Sequence, residues 1–301
     1  MSSEDNAQPG WGIFWMVVTG FQFVVVTALV KQLGTRIPAP EAAFLRYLLG
    51  LIFLIPMIGT LRRLQLERQT WVFFGLRGVL HSFAVMFWFF AMARIPIADV
   101  TAMNYLSPIY VTLGAALFFR EKLALRRILA VMIALLGALI ILRPGFRELD
   151  TGHFAMVFTA IAFGGSYLLA KKLSDVCSAG LVVAMLSITV TIGLAPVALA
   201  NWVQPTWAEL LILAAVACFA TGGHYTMTLA FRSAPLTVTQ PVTFLQLVWA
   251  VLLGMLFFDE PFDPWVVIGG LVIVGSVSFI SWREAALKRR TVTPASPATK
   301  V

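Results

Sequence analysis

The sequence predicts an all-α integral membrane protein with ten transmembrane helices in two inverted-topology repeats of five helices. Of its 301 residues, 60% are hydrophobic and only 12% are charged, and the mean hydropathy is +0.90. Soluble domains carry about 25% charged residues, so this composition excludes a soluble enzyme. The long uncharged runs also exclude a transmembrane barrel, whose strands would be alternating segments of about ten residues.

Ten uncharged runs mark the helices, because a charge at bilayer depth is costly and a crossing needs about 20 apolar residues. The N-terminus has no basic segment followed by a cleavage pattern, so we expect the first run to be retained as a helix. The predicted spans, in order, are 11–31, 41–60, 71–93, 96–118, 124–143, 152–170, 179–200, 208–231, 235–258 and 265–282.

These spans divide the chain into four parts. Residues 1–10 form a short cytoplasmic N-terminus, 11–143 the first group of five helices and 152–282 the second. Residues 283–301 are polar and basic with two prolines, and we expect a disordered cytoplasmic tail in contact with anionic lipid. With both termini in the cytoplasm, 15 of the 22 lysines and arginines fall inside and five outside, as the positive-inside rule requires.

An internal repeat at an offset of 139 residues relates the two halves. It aligns residues 117–121 (Leu-Phe-Phe-Arg-Glu) with 256–260 (Leu-Phe-Phe-Asp-Glu), and Pro96 with Pro235. Because each half holds an odd number of helices, the second copy enters the membrane from the opposite side. Inverted repeats are typical of secondary transporters, in which the halves exchange conformations to give alternating access. Duplication without alternating access, as in some channels, is the alternative.

Several short motifs resemble the EamA type of the drug/metabolite transporter superfamily. They are Phe44-Leu45-Arg46 in helix 2, Ile95-Pro96-Ile97-Ala98 at the start of helix 4, Ser107-Pro108-Ile109-Tyr110 within it, and the Leu-x-x-Glu ends of helices 4 and 9. The resemblance covers residues 12 to 282 and implies export of small metabolites across the bacterial inner membrane. The sequence is also similar to the YddG-like exporters of aromatic amino acids.

Polar and aromatic side chains recur on one face of helices 3, 4, 8 and 9. In helix 3, Arg77, His81 and Trp88 share a stripe, since they are spaced four and seven residues apart. Helices 3 and 4 are the repeat partners of helices 8 and 9, so we expect these four to line a central cavity. The predicted substrate-binding residues are His81, Trp88, Asn104, Tyr105, Tyr167, His224, Tyr225, Gln240, Thr243, Gln246 and Trp249.

These side chains also have a structural interpretation. Polar groups hydrogen-bond neighbouring helices at about 0.6 kcal/mol per contact, and a buried tyrosine hydroxyl needs a partner in any case. Arg77 either holds an anionic group of a substrate or anchors helix 3 at the cytoplasmic interface. Arg46 is expected to snorkel to the opposite interface, near Glu41.

The absence of acidic residues from the middle of the spans restricts the chemical class of the substrate. Helix 1 has Thr19 and Gln22 where superfamily members that exchange cationic drugs for protons have a glutamate. We therefore expect a neutral or zwitterionic solute, an aromatic or other apolar amino acid, exported by alternating access without cofactor or metal. Nucleosides or toxic compounds are the alternative. We expect a monomer surrounded by membrane lipid and no nucleic-acid partner.

An enzyme is a distant second class. The sequence has no buried Asp pair, no His-Glu-x-x-His, no Gly-x-Ser-x-Gly and no Gly-rich phosphate loop. A passive pore would need rings of charge or a repeated carbonyl filter, which the sequence also lacks.

Overall fold

The structure is a computed structural model that describes residues 9–57, 66–107, 109–110, 125–146, 148–174, 176–233, 242 and 245–292. Within these residues it has ten α-helices and no β-strand. In chain order the helices are α1 (Pro9–Leu33), α2 (Ala39–Gly50), α3 (Arg68–Met92), α4 (Ile97–Asn104), α5 (Leu125–Leu142), α6 (Thr151–Ser174), α7 (Ala179–Ala200), α8 (Trp207–Ser233), α9 (Leu245–Phe257) and α10 (Pro264–Val292). A 3-10 helix, Leu51–Met57, continues α2.

Five of the described helices are long and apolar enough to cross a membrane. They are α1, α3, α6, α7 and α8, with apolar segments of 20 to 25 residues. The apolar segments of α5, α9 and α10 are shorter. The all-helical fold class predicted from the sequence is confirmed.

The loops that follow the five odd-numbered helices meet on one side of the molecule. Lys31 Nζ, at the end of α1, donates to Ile95 O before α4 at 2.9 Å and pairs with Glu260 Oε1 after α9 at 2.7 Å. Arg143 after α5 pairs with Asp263 before α10. This side, which we call the odd-loop face, comprises residues 31–38, 93–96, 143–150, 201–206 and 257–263.

The loop between α7 and α8 belongs to the same face. Arg36 Nε donates to Glu209 Oε1 at 2.6 Å, and Val203 N donates to Glu41 Oε2 at 2.9 Å. Glu209 also forms a capping box with Thr206, in which each side chain accepts the other residue's backbone N–H, at 2.8 and 3.3 Å. Since the loops after alternate helices share one face, α1 begins on the opposite side of the molecule from α6. The two five-helix repeats are therefore inverted.

Helix contacts recur with the repeats exchanged. The most extensive contacts are those of α1 with α8 and of α3 with α6. The two pairs are equivalent, because exchanging the repeats converts α1 into α6 and α8 into α3. Likewise α3 packs on α7 as α8 packs on α2, and α2, α4 and α5 each pack on their own repeat partner. A pseudo-two-fold relation thus links the halves, and the short α4 contacts helices of both.

Helix 4 is interrupted where the sequence predicts one continuous span over 96–118. α4 ends at Asn104, and Tyr105 and Leu106 form a turn. Pro108 follows, and proline has no N–H to donate and disfavours helical geometry in the residue before it. The prediction of an unbroken helix is therefore wrong at this turn, and residues 111–118 lie outside the described ones.

α10 continues past its predicted end at residue 282 to Val292. Residues 283–290 consist of Arg, Glu, Ala, Leu and Lys, which are strong helix formers. The helix therefore covers the first part of the segment predicted to be a disordered tail.

α5 and α10 approach each other closely at two glycines. A Cβ on Gly269 would lie 2.5 Å from Gly137 O, and one on Gly137 would lie 2.8 Å from Gly269 O. Because the obstructing atoms belong to the backbone, a larger residue at either position requires the helices to separate.

Gly269→Ala should therefore lower the free energy of unfolding by about 1 to 3 kcal/mol, the usual result of overpacking. The measurement is the midpoint of thermal unfolding in detergent. Gly275→Ala is the matched control, since it lies on the same helix and a Cβ there meets nothing within 4 Å. Equal midpoints for the two variants would contradict close packing of α5 on α10.

Candidate functional site

His81 is the centre of a buried polar cluster between α2, α3 and α6. Its Nε2 lies 3.1 Å from Tyr47 Oη and its Nδ1 lies 3.0 Å from Ser166 Oγ. The imidazole also packs against Phe163, with the ring centres 5.0 Å apart. Because both ring nitrogens have partners, the imidazole is held in one orientation. We call His81, Tyr47, Ser166 and Phe163 the His81 cluster.

The stripe predicted on helix 3 faces this cluster. Arg77 and Trp88 lie on the same side of α3 as His81, opposite the exposed Val79. Trp88 packs against Phe163 with ring centres 5.9 Å apart, and its Nε1 is buried with no hydrogen-bond partner in the described part of the chain. Leaving a buried donor unpaired costs about 1 to 3 kcal/mol.

Tyr167 packs against the His81 cluster. It lies on the same face of α6 as the buried Met156, Ala160 and Phe163, and its ring stacks on Phe163 at 5.7 Å. The outer face of α6, marked by the exposed Phe158, points the other way. Of the Tyr167 surface, 40% is exposed, so its neighbours cover this side chain only in part.

A second polar cluster lies between α1 and α8. Thr19 Oγ1 and Thr226 Oγ1 are 2.8 Å apart, and Thr226 Oγ1 donates to Gln22 Oε1 at 3.3 Å. His224 packs edge-on against Phe23, with ring centres 5.2 Å apart. Since α1 and α8 are the repeat counterparts of α6 and α3, the two polar clusters occupy equivalent helix pairs.

Gln246 and Trp249 of α9 both face α1. A Cβ on Gly20 would lie 3.4 Å from Gln246 Cβ, and Trp249 packs against Phe21 with ring centres 5.9 Å apart. Trp249 Nε1 is also buried without a hydrogen-bond partner among the described residues. These two side chains are thus neighbours of the α1–α8 cluster and are not in the His81 cluster.

Asn104 and Tyr105 lie at the break in α4. Tyr105 lies against the backbone of Leu247 in α9. Asn104 Oδ1 is buried and accepts no hydrogen bond from any residue that the structure describes. Interrupted helices with free polar groups are typical of substrate sites in secondary transporters.

One of the predicted residues lies away from these clusters, and two fall outside the residues that the structure describes. Tyr225 is 66% exposed and lies seven residues from the exposed Cys218, on the side of α8 away from α1. Gln240 and Thr243 lie outside the described residues.

Helical periodicity does not identify Tyr47, Ser166 and Phe163 as site residues. Each lies on a helix other than α3 and meets His81 only through packing between helices. In the sequence, His81 itself indicates that such residues must exist. A buried imidazole needs hydrogen-bond partners for two ring nitrogens, and tyrosine and serine can supply them.

The odd-loop face closes one end of the molecule. The pairs Lys31–Glu260 and Arg36–Glu209 each join the first repeat to the second. Beneath them, His153 Nε2 lies 2.9 Å from the buried Asp99 Oδ2. Within the described ranges, no group of three His, Cys, Asp or Glu side chains is placed to hold a metal ion.

Known proteins resemble both halves of the chain. Residues 10–143 and 150–282 each match the EamA-like transporter family. The chain is 28% identical to a riboflavin transporter of Vibrio cholerae, over 94% of this chain and 96% of the relative. It is 28% identical to the pseudopaline exporter CntI of Pseudomonas aeruginosa, over 87% and 93%. It is 24% identical to an S-adenosylmethionine uptake transporter of Rickettsia prowazekii, over 91% and 93%.

One solved structure superposes on this chain with a TM-score of 0.59 and 19% sequence identity, over 94% of this chain and 98% of the other. At this identity the likeness shows a shared fold.

Ser166→Ala should destabilise the protein by about 1 to 3 kcal/mol, because it leaves His81 Nδ1 buried without a partner. Thermal unfolding in detergent measures the effect. Ser187→Ala is the control, since that hydroxyl donates to Val183 O of its own helix. If both serine variants unfold at the same temperature, the Ser166 hydroxyl does not hold the imidazole.

Proposed function

Because the chain belongs to the EamA-like transporter family, we propose that it exports flat zwitterionic solutes, above all aromatic amino acids, from the cytoplasm by alternating access. Family membership and the transporter relatives make it a transporter of small molecules in the bacterial inner membrane, and not an enzyme. The relatives include an uptake transporter and an exporter, so the direction of transport is part of the proposal.

Unpaired hydrogen-bond groups beside aromatic rings carry the proposal. Trp88 Nε1, Trp249 Nε1 and Asn104 Oδ1 are buried without hydrogen-bond partners in the described ranges. The rings of Phe163 and Tyr167 stack beside His81, and Tyr167 is partly exposed. An amino acid with an aromatic side chain can supply what these groups lack: hydrogen-bond acceptors for the indole N–H groups, an ammonium for the amide oxygen, and a flat ring for stacking.

Alternating access would use the contacts between the repeats. The two ion pairs that join the repeats at the odd-loop face, Lys31–Glu260 and Arg36–Glu209, would break when that face opens. Arg36 is half exposed, and exposed ion pairs contribute only about 0 to 1 kcal/mol. Lys31 and Glu260 are largely buried, so opening this face must also expose both of these charges to water. We further propose that the odd-loop face is periplasmic, that both termini are cytoplasmic, and that the protein acts as a monomer.

A larger flat solute is the second candidate. The relative from Vibrio cholerae is named a riboflavin transporter, and the rings that would stack on an aromatic amino acid would also stack on a fused heteroaromatic ring or a nucleobase. Nucleosides and flavins therefore belong in the same substrate screen.

Purified protein in proteoliposomes should exchange radiolabelled phenylalanine, tyrosine or tryptophan in counterflow without a pH gradient. Trp88→Phe should reduce exchange about three- to tenfold, because it keeps the apolar bulk and removes one N–H donor, worth about 0.5 to 1.5 kcal/mol. Trp265→Phe, at the exposed start of α10, is the matched control. Exchange of dicationic drugs in preference to amino acids would refute the proposal.

Cross-linking tests the opening of the odd-loop face. Cysteines at positions 36 and 209, with Cys177 and Cys218 replaced by serine, should be joined by a short cleavable bismaleimide and should then lose counterflow, which cleavage restores. The single-cysteine variants treated with the same reagent are the controls. Cross-linked protein that exchanges at the uncross-linked rate would rule out the rocking of the repeats at this face.

A further inference from the structure

Two arginine side chains are buried two to three turns inside their helices. Arg46 is 8% exposed and Arg77 is 6% exposed. Arg46 is seven residues into α2 and Arg77 nine residues into α3, which places them about 10 and 14 Å along their helices at 1.5 Å per residue. A buried charge is strongly unfavourable unless it is paired.

Among the residues that the structure describes, both guanidinium groups contact neutral atoms. The Arg46 guanidinium lies over the ring of Tyr47, 3.9 Å from its centre. Arg77 Nη1 donates to Val182 O at 2.9 Å, and Arg77 Nε is buried with no hydrogen-bond partner among the described residues. From the sequence we expected Arg46 to lie near Glu41, but the two do not form an ion pair. The Glu41 carboxylate accepts the backbone N–H of Val203 instead.

Carboxylates are concentrated elsewhere. The ion pairs in the part of the chain that the structure describes all lie at or just beneath the odd-loop face, and none of them involves Arg46 or Arg77.

The two guanidinium groups also share one environment. Tyr47 separates them, because it lies under Arg46 and its hydroxyl is 3.1 Å from His81, one turn from Arg77 on the same stripe. Both arginines interact electrostatically with His81 and His224.

We propose that Arg46 and Arg77 bind the anionic group of the transported solute, a carboxylate or a phosphate, next to Tyr47 and His81. The planar fork of a guanidinium matches both groups, and an anion would neutralise the excess positive charge between α2 and α3. This inference rests on the proposed function, because it assigns a charge to the solute of the same site. A solute would then need a negatively charged group as well as a flat ring in order to bind.

The wild-type protein tests this with four probes that share a phenyl ring. Phenylacetate, phenyl phosphate, 2-phenylethanol and 2-phenylethylamine are titrated at constant ionic strength, and thermal unfolding in detergent reports binding. Phenylacetate or phenyl phosphate should stabilise the protein saturably, and the stronger of the two identifies the group. Equal stabilisation by the alcohol or the amine would overturn the proposal. No effect of either anion would mean that a carboxylate of the chain already neutralises the arginines, and would also overturn it.

Substitutions test the two residues directly. Arg46→Gln and Arg77→Gln should each weaken binding of the anionic probe at least about tenfold, the loss expected for one charge-assisted hydrogen bond. Arg94→Gln is the matched control: Arg94 is exposed, lies 3.6 Å over the Phe90 ring and donates to Phe90 O. Its affinity should be unchanged. Wild-type affinity in both glutamine variants would overturn the proposal. If these variants do not fold, the result of the wild-type probe series decides.

The two proposals fail in different ways. If the anionic probes bind as described but no aromatic amino acid exchanges in counterflow, the proposed substrate is wrong and the anion site stands. If amino acids exchange and the phenyl probes bind without regard to charge, the anion site is wrong and the proposed function stands.

Discussion

Charge in an apolar interior must be neutralised, and the arrangement of the whole protein follows from where this is done. At the odd-loop face the chain neutralises its own charges, through pairs such as Lys31 with Glu260 and Arg143 with Asp263. Between α2 and α3 it places two guanidinium groups among a tyrosine ring and a backbone carbonyl. One end is thereby closed by internal pairs, whereas the interior is left suited to a charge brought from outside the chain.

The pseudo-two-fold relation explains why the polar clusters come in two sets. The pair α3 and α6 carries the His81 cluster, and its counterpart α8 and α1 carries Thr226, Thr19 and Gln22. The residues differ because the repeats have diverged, but the helix pairs are the same. A solute between them would contact both halves, so movement of one half against the other changes its surroundings.

Composition and periodicity suffice for the fold class, the repeat and the Arg77, His81 and Trp88 stripe, because these depend on hydropathy and spacing along one helix. They do not reveal Tyr47 or Ser166, whose role depends on which helices touch. The break after Asn104 combines a local signal, Pro108, with packing of the turn against α9, and only the first is visible in the sequence. For Arg77 the sequence leaves a substrate ligand and an interfacial anchor open; our proposal of a substrate ligand rests on its burial and on its contact with a backbone carbonyl.

Glu260 does more than pair with Lys31. Its carboxylate accepts the backbone N–H of Ile97, the first residue of α4, at 2.9 Å. Between the end of α9 and Glu260, the left-handed backbone of Asp259, with φ of +51°, turns the chain towards α4. The start of a helix in one repeat is thus capped by a side chain of the other. A half-length protein holding only the first repeat would lack this acceptor for Ile97 and the counter-ion of Lys31. Covalent fusion of the repeats therefore serves folding as well as transport: each half is completed by the other during assembly.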